Sequence, residues 1–226
     1  MLRRSGVMTI KIIGRRDWGA RAPKAGVLHV SDRERSGFMV HHSAGPADQS
    51  PAAIQAWCMD GRGFKDVDYN FLVDQHGHVY EGRGWTAIGS HCIGQNTACY
   101  GVCVIGTNQL AEPARDSLRD LYRAACRRAD RALTPLVHSD RWATGCPGKV
   151  IRGWVHSGGL GPHRDLRLTD PPMHGDDVAR VQRIVGATVD GVFGPRTEGK
   201  VIAWQRKHEL DADGIVGPRT RAKMGI

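Results

Sequence analysis

Aromatic residues are scarce in this 226-residue chain, where Phe, Trp and Tyr together make up 6%. Platforms that stack nucleic-acid bases need aromatics interleaved with basic side chains. The arginines here are scattered rather than gathered in one basic arm, so no nucleic-acid partner is expected. Also missing is any apolar run near the roughly 20 residues that span a bilayer, which excludes a membrane-spanning helix. The opening stretch MLRRSGVMTIKIIG has two arginines but no long apolar core and no small-residue cleavage site, and so does not read as a secretory signal. Either Met1 or Met8 can serve as the start. Without an export signal the six cysteines (Cys58, Cys92, Cys99, Cys103, Cys126 and Cys146) are expected to remain thiols, and their even number is not a disulfide framework.

What is present is a basic chain of net charge +9 with 40% hydrophobic residues. The charge favours acidic partners: nucleic acid, an anionic membrane surface, or a cell wall carrying carboxylates and phosphates. The length suits one ordinary domain with its own core plus a small appendage. A stretch rich in Gly, Pro and charge, SGGLGPHRDLRLTDPPMHGD (residues 157–176), lacks sustained apolar periodicity and reads as a linker. The expected layout is a first domain over residues 10–160, a linker over 161–175 and a small domain over 176–226. A monomer is the default expectation.

Before the linker, short β-rich runs (Phe38 to His42, Tyr69 to Val73, His78 to Glu81 and Gly101 to Gly106) alternate with helical patterns, which gives an α/β class. One helix is expected to start at Ser50, an N-cap followed by Pro51, and to bury Ile54, Trp57 and Cys58. A second, from about Pro113 to Leu133, carries the apolar stripe Leu118, Leu121, Tyr122, Ala125, Cys126 and Ala129 against arginines that read as a solvated face. Asp74, Gln75, His76 and Gly77 have the turn chemistry of a hairpin. After the linker, DGVFGPRT (190–197) and DGIVGPRT (213–220) match at six of eight positions with an offset of 23. Each copy pairs an Asp-Gly turn with a Gly-Pro helix start, which predicts a compact three-helix unit.

The chemistry-bearing residues are fewer. In MVHHSAG, His41 and His42 are neighbours on a strand, so they point to opposite faces: one can bind metal while the other packs. Downstream, His138 ends a β-like run and Cys146 follows eight residues later in a Gly-Pro loop. Two imidazoles and a thiolate with one open position suit a catalytic zinc ion, Zn2+. The spacing alone also fits buried histidines and a buried thiol.

Six ordered stretches carry more information: RRDWGA (15–20), MVHHSAG, VDYNFLVDQHGHVYEGRGW (67–85), GSHCIGQN (89–96), YGVCVIG (100–106) and HSDRWATGCPG (138–148). Together, over about residues 13 to 155, they resemble the type 2 amidases and peptidoglycan recognition proteins, which include many phage endolysins. The tail resembles the three-helix peptidoglycan-binding domain attached to wall hydrolases. The resemblance implies a central mixed β-sheet flanked by helices, followed by a small three-helix domain. It further implies zinc ligands at His41, His138 and Cys146 and an active-site tyrosine at Tyr69, with Thr144 where some relatives carry lysine. Cys103 stands where some relatives have a glutamate and reads as packing. By the same resemblance His91, at the mouth of the cleft, and Arg83 are candidate substrate contacts, each with a structural alternative: a surface histidine and an ion-paired arginine. The remaining histidines (His29, His76, His78, His156, His163, His174 and His208) read as surface or linker.

The implied activity is hydrolysis of the amide between the muramic acid lactyl group and the first L-alanine of the stem peptide. The alternative is a non-catalytic peptidoglycan receptor, which Cys146 argues against. A nucleic-acid- or polymerase-binding regulator is a second alternative, disfavoured by the tail. The two-module layout without a signal peptide suggests an endolysin that waits in the host bacterial cytoplasm until lysis and then acts on the wall.

Overall fold

The computed structural model describes residues 10–161 and 165–226. The choice between Met1 and Met8, and the reading of His163, lie outside these residues. Two compact units divide the chain, residues 1–162 and 163–226.

The first unit is built on a six-stranded mixed sheet. Its strands are β1 (Ile12–Ile13), β2 (Gly37–His42), β3 (Phe71–Val73), β4 (Val79–Glu81), β5 (Cys99–Val104) and β6 (Thr134–Val137), in the order β1-β4-β3-β5-β2-β6. Only the β3–β4 pair is antiparallel, joined by the expected turn, in which Asp74 Oδ1 accepts from the backbone N–H of His76 and His78 at 2.9 Å each. The other pairs are parallel. The central strands β2 and β5 are covered on both faces, as parallel strands must be.

Strand alternation sorts the residues. Phe38 and Val40 of β2, with Tyr100, Val102 and Val104 of β5, form one core with helices α2 (Glu112–Ala129) and α3 (Lys149–His156). The opposite face carries His41, and Leu72 and Cys103 pack there with Ile54, Cys58, Val67 and Ile105. Helix α2 ends at Asp130 in a left-handed conformation (φ 56°), before Leu133, which is buried in the turn that follows. Its arginines are tied to the protein rather than only solvated: Arg128 pairs with Asp32 at 2.6 Å and covers the Trp85 ring, and Arg119 donates to the Gly159 carbonyl and covers Trp154.

One expectation fails at Trp57. Helix α1 (Pro51–Ala56) is capped by Ser50 and buries Ile54 as expected, but from Trp57 to Gly61 the backbone widens into a π turn. Cys58 stays buried, whereas Trp57 is 59% exposed and lies under the Arg62 guanidinium at 5.2 Å. The indole buries one face against that cation instead of entering the core.

The second unit contains α4 (Asp176–Val185), α5 (Pro195–Lys207) and α6 (Pro218–Met224) around Leu166, Val178, Val181, Phe193, Val201 and Val216. Leu166, inside the stretch read as linker, is fully buried and bridges to Val216. The internal repeat proves to be a repeated hydrogen-bond clasp. Gln182 Nε2 donates to Asp190 Oδ1 (2.7 Å), the Val192 carbonyl (3.0 Å) and Thr197 Oγ1 (2.9 Å), while its oxygen accepts from Gly191 N at 2.9 Å. Gln205 repeats this with Asp213 (2.9 Å), Ile215 (2.9 Å), Thr220 (3.1 Å) and Gly214 (2.9 Å). Gly191 and Gly214 both sit at positive φ, 72° and 74°, which is why the turn keeps Asp-Gly in each copy. Replacing Gln205 by Leu would remove four hydrogen bonds at once and leave the buried Gly214 N–H without its acceptor. The expected loss is about 2 kcal/mol or more in the second unit. Hydrogen exchange would check it, with the amides of α5 and α6 opening roughly 30-fold more often while the sheet of the first unit keeps its protection.

Candidate metal centre

His41 is the last residue but one of the central strand β2, on the face away from α2. In the sheet, Val40 lies opposite Val137, the last residue of β6, so one residue further along brings His41 beside His138 in the turn that follows β6, with ring centroids 4.6 Å apart. Cys146 returns to the pair on a loop held by its own backbone: Ser139 N donates to the Cys146 carbonyl at 3.1 Å, and Cys146 N donates to Thr144 Oγ1 at 3.2 Å. The Cys146 sulfur accepts from the His42 amide at 3.4 Å and lies 3.8 Å from His41 Nδ1. One potential ligand atom from each of His41, His138 and Cys146 falls within 4.8 Å of the others, the one such group among the described residues.

The electrostatics suit a metal. Burial holds His41 well below the usual imidazole range, with His91 and His138 adding to the effect, and burial lowers His138 as well. Both rings are therefore neutral and keep a lone pair. Burial pushes the Cys146 thiol up to about 11, so only a cation in the site would hold it as thiolate at neutral pH. Zinc bonds of about 2.3 Å to sulfur and about 2.1 Å to nitrogen at tetrahedral angles place N and S about 3.6 Å apart. The observed 3.8 Å fits that spacing, and the donor set of two imidazoles and one thiol fits zinc.

The other candidates are distributed unevenly. Tyr69 is half-buried, its ring centroid 5.3 Å from that of His41, and burial raises its phenol well above the usual tyrosine range, so it stays a neutral donor. Thr144 shares the Cys146 loop. His42 faces the other side of the sheet, where its Nδ1 makes no hydrogen bond. Cys103 is fully buried beneath the site, opposite His41 in register. Arg83 is not brought to the ligands: its Nε donates to the Val67 carbonyl at 2.6 Å and its guanidinium to Ile88 at 2.8 Å, so it ties two loops together. His91 is only 6% exposed and lies behind His41, its Nδ1 3.0 Å from His41 Nε2.

A family model described as N-acetylmuramoyl-L-alanine amidase matches residues 31–149, more than half of the chain. The chain belongs to this amidase family. A second model, described as a putative peptidoglycan binding domain, matches residues 175–224. The peptidoglycan-recognition protein SC2 of Drosophila melanogaster is 31% identical over 164 residues, covering 66% of this chain and 88% of that protein. A human N-acetylmuramoyl-L-alanine amidase is 32% identical over 160 residues, 62% of this chain but only 27% of the longer human protein. Among solved structures, peptidoglycan recognition protein-LE in complex with tracheal cytotoxin, a monomeric diaminopimelic acid-type peptidoglycan, superposes with a TM-score of 0.57 at 27% identity, covering 67% of this chain and 94% of that one.

Sequence reasoning missed Arg35. This fully buried guanidinium donates to the carbonyls of Asn96, Thr97 and Cys99 (2.9 to 3.0 Å) and Ala87 (2.8 Å), pinning both ends of the loop that carries His91. A lone arginine before a strand gives no sequence signal for that role.

Proposed function

We propose that the protein is a zinc-dependent N-acetylmuramoyl-L-alanine amidase that cuts the bond between the muramic acid lactyl group and the first L-alanine of peptidoglycan stems. The observation that carries this reading is the convergence of His41, His138 and Cys146 within 4.8 Å, a three-donor set that leaves a tetrahedral position for chemistry. His41, His138 and Cys146 would hold the ion. Zinc, when bound, supplies Lewis acidity and lowers the pKa of a water from about 15.7 toward about 7.

The remaining work falls on the chain's own groups. The Tyr69 hydroxyl donates a hydrogen bond to the lactyl carbonyl oxygen as it takes on negative charge. Thr144, whose oxygen already accepts from Cys146 N, retains its O–H to donate to the same oxygen. Both are neutral donors and thus weaker partners for an oxyanion than the lysine of some relatives. The three-helix unit supplies a second contact with the wall. The two-module layout supports an endolysin role, with the protein waiting in the host bacterial cytoplasm until lysis.

The test is incubation with purified peptidoglycan, with and without a zinc chelator, followed by mass spectrometry. Stem peptides with a free L-alanine amino terminus should appear and should vanish with chelator. Wall binding without release would favour the receptor alternative, and release of disaccharides would mean a different bond is cut.

A further inference from the structure

His41 uses both of its ring nitrogens. Nδ1 faces the Cys146 sulfur at 3.8 Å, and Nε2 meets His91 Nδ1 at 3.0 Å, with the two rings edge to face, 4.9 Å apart. Two ring nitrogens 3.0 Å apart form a hydrogen bond only when one ring donates its proton and the other accepts it. If His41 Nδ1 offers its lone pair to a metal, its proton sits on Nε2, and the atom positioned to accept that proton's hydrogen bond is His91 Nδ1.

The surroundings leave His91 little freedom. A Cβ added at Gly101 would come within 2.1 Å of the His91 ring and one at Gly89 within 2.4 Å, so the imidazole is clamped between two glycine backbones. Its loop is held by the four carbonyls bonded to Arg35, by Ser90 N donating to the Asp68 carbonyl at 2.8 Å, and by Cys92 N donating to Asn96 Oδ1 at 2.9 Å.

We infer that His91 is a positioning residue: it accepts the Nε2 proton of His41 and thereby presents His41 Nδ1, unprotonated and correctly turned, to the metal. The inference rests on the metal-site reading above but concerns metal affinity rather than hydrolysis. Metal-bound imidazoles commonly pass their other N–H to such an acceptor, and losing it costs about 10- to 100-fold in affinity or activity.

The experiment is a zinc competition titration of the full chain against a chromophoric chelator. His91→Phe refills the cradle without an acceptor, whereas His91→Asn places an amide oxygen near the Nδ1 position. The Phe variant should bind zinc about 10- to 100-fold more weakly, and Asn should recover most of that loss. Wild-type affinity in the Phe variant would overturn the inference, as would equal weakening in both variants, which would reduce His91 to filling space. Should His91→Phe fail to fold, 15N NMR of the metal-free wild type decides: His41 protonated at Nε2 is expected, and protonation at Nδ1 overturns the inference. A wild type that takes up zinc yet releases no stem peptide would defeat the amidase reading, while the affinity ratio still decides the role of His91.

Discussion

Cys146→Ser should lose zinc and at least about 10³-fold in stem-peptide release, while the protein stays folded and still binds the wall. The factor corresponds to about 4 kcal/mol, the scale of charge stabilisation that a Lewis-acidic metal supplies. Serine keeps the volume of cysteine but not its softness, and its hydroxyl does not ionise to an anionic donor near neutral pH. Folding should survive because the loop is held by backbone groups, Ser139 N on the Cys146 carbonyl and Cys146 N on Thr144 Oγ1, and neither bond uses the sulfur. Zinc content by elemental analysis and peptide release by mass spectrometry check the two halves separately. Activity within tenfold of wild type in the variant would remove Cys146 from the metal reading.

The sequence carried the parts of this molecule that depend on short-range pattern. Period-2 alternation said that His41 and His42 could not serve one site together, and the sheet places His41 on the candidate-site face and His42 on the other. The Asp-Gly repeat spoke for a helical tail. The rest depends on neighbours distant in sequence. His91 read as a cleft-mouth residue because nothing local says that Gly89 and Gly101 will close on its ring, or that a partner 50 residues away will meet its Nδ1. Gln182 and Gln205 gave no signal either, since they lie eight residues before the repeated stretch they clasp. Trp57 fell on the expected helical stripe, but a π turn, which periodicity arguments do not anticipate, carried it to the surface.

Tyr69→Phe should lower turnover by about 10²- to 10³-fold, the cost of removing one donor from a developing oxyanion, with zinc affinity unchanged. The separation follows from position: Tyr69 lies beside His41, ring centroids 5.3 Å apart, but is not one of the three grouped ligands. Its chemistry restricts it to donation, because burial keeps the phenol protonated far above neutral pH, where it has no capacity to act as a base. Loss of the hydroxyl should therefore appear in kcat, with KM for soluble muropeptides little changed. Thr144→Val is the informative companion. It removes the second neutral donor but also the oxygen that accepts from Cys146 N, so it should lower kcat and weaken zinc together. If Tyr69→Phe retained full turnover while Thr144→Val lost it, charge on the lactyl oxygen would be met from the Cys146 loop alone, and the tyrosine would be a packing residue beside His41.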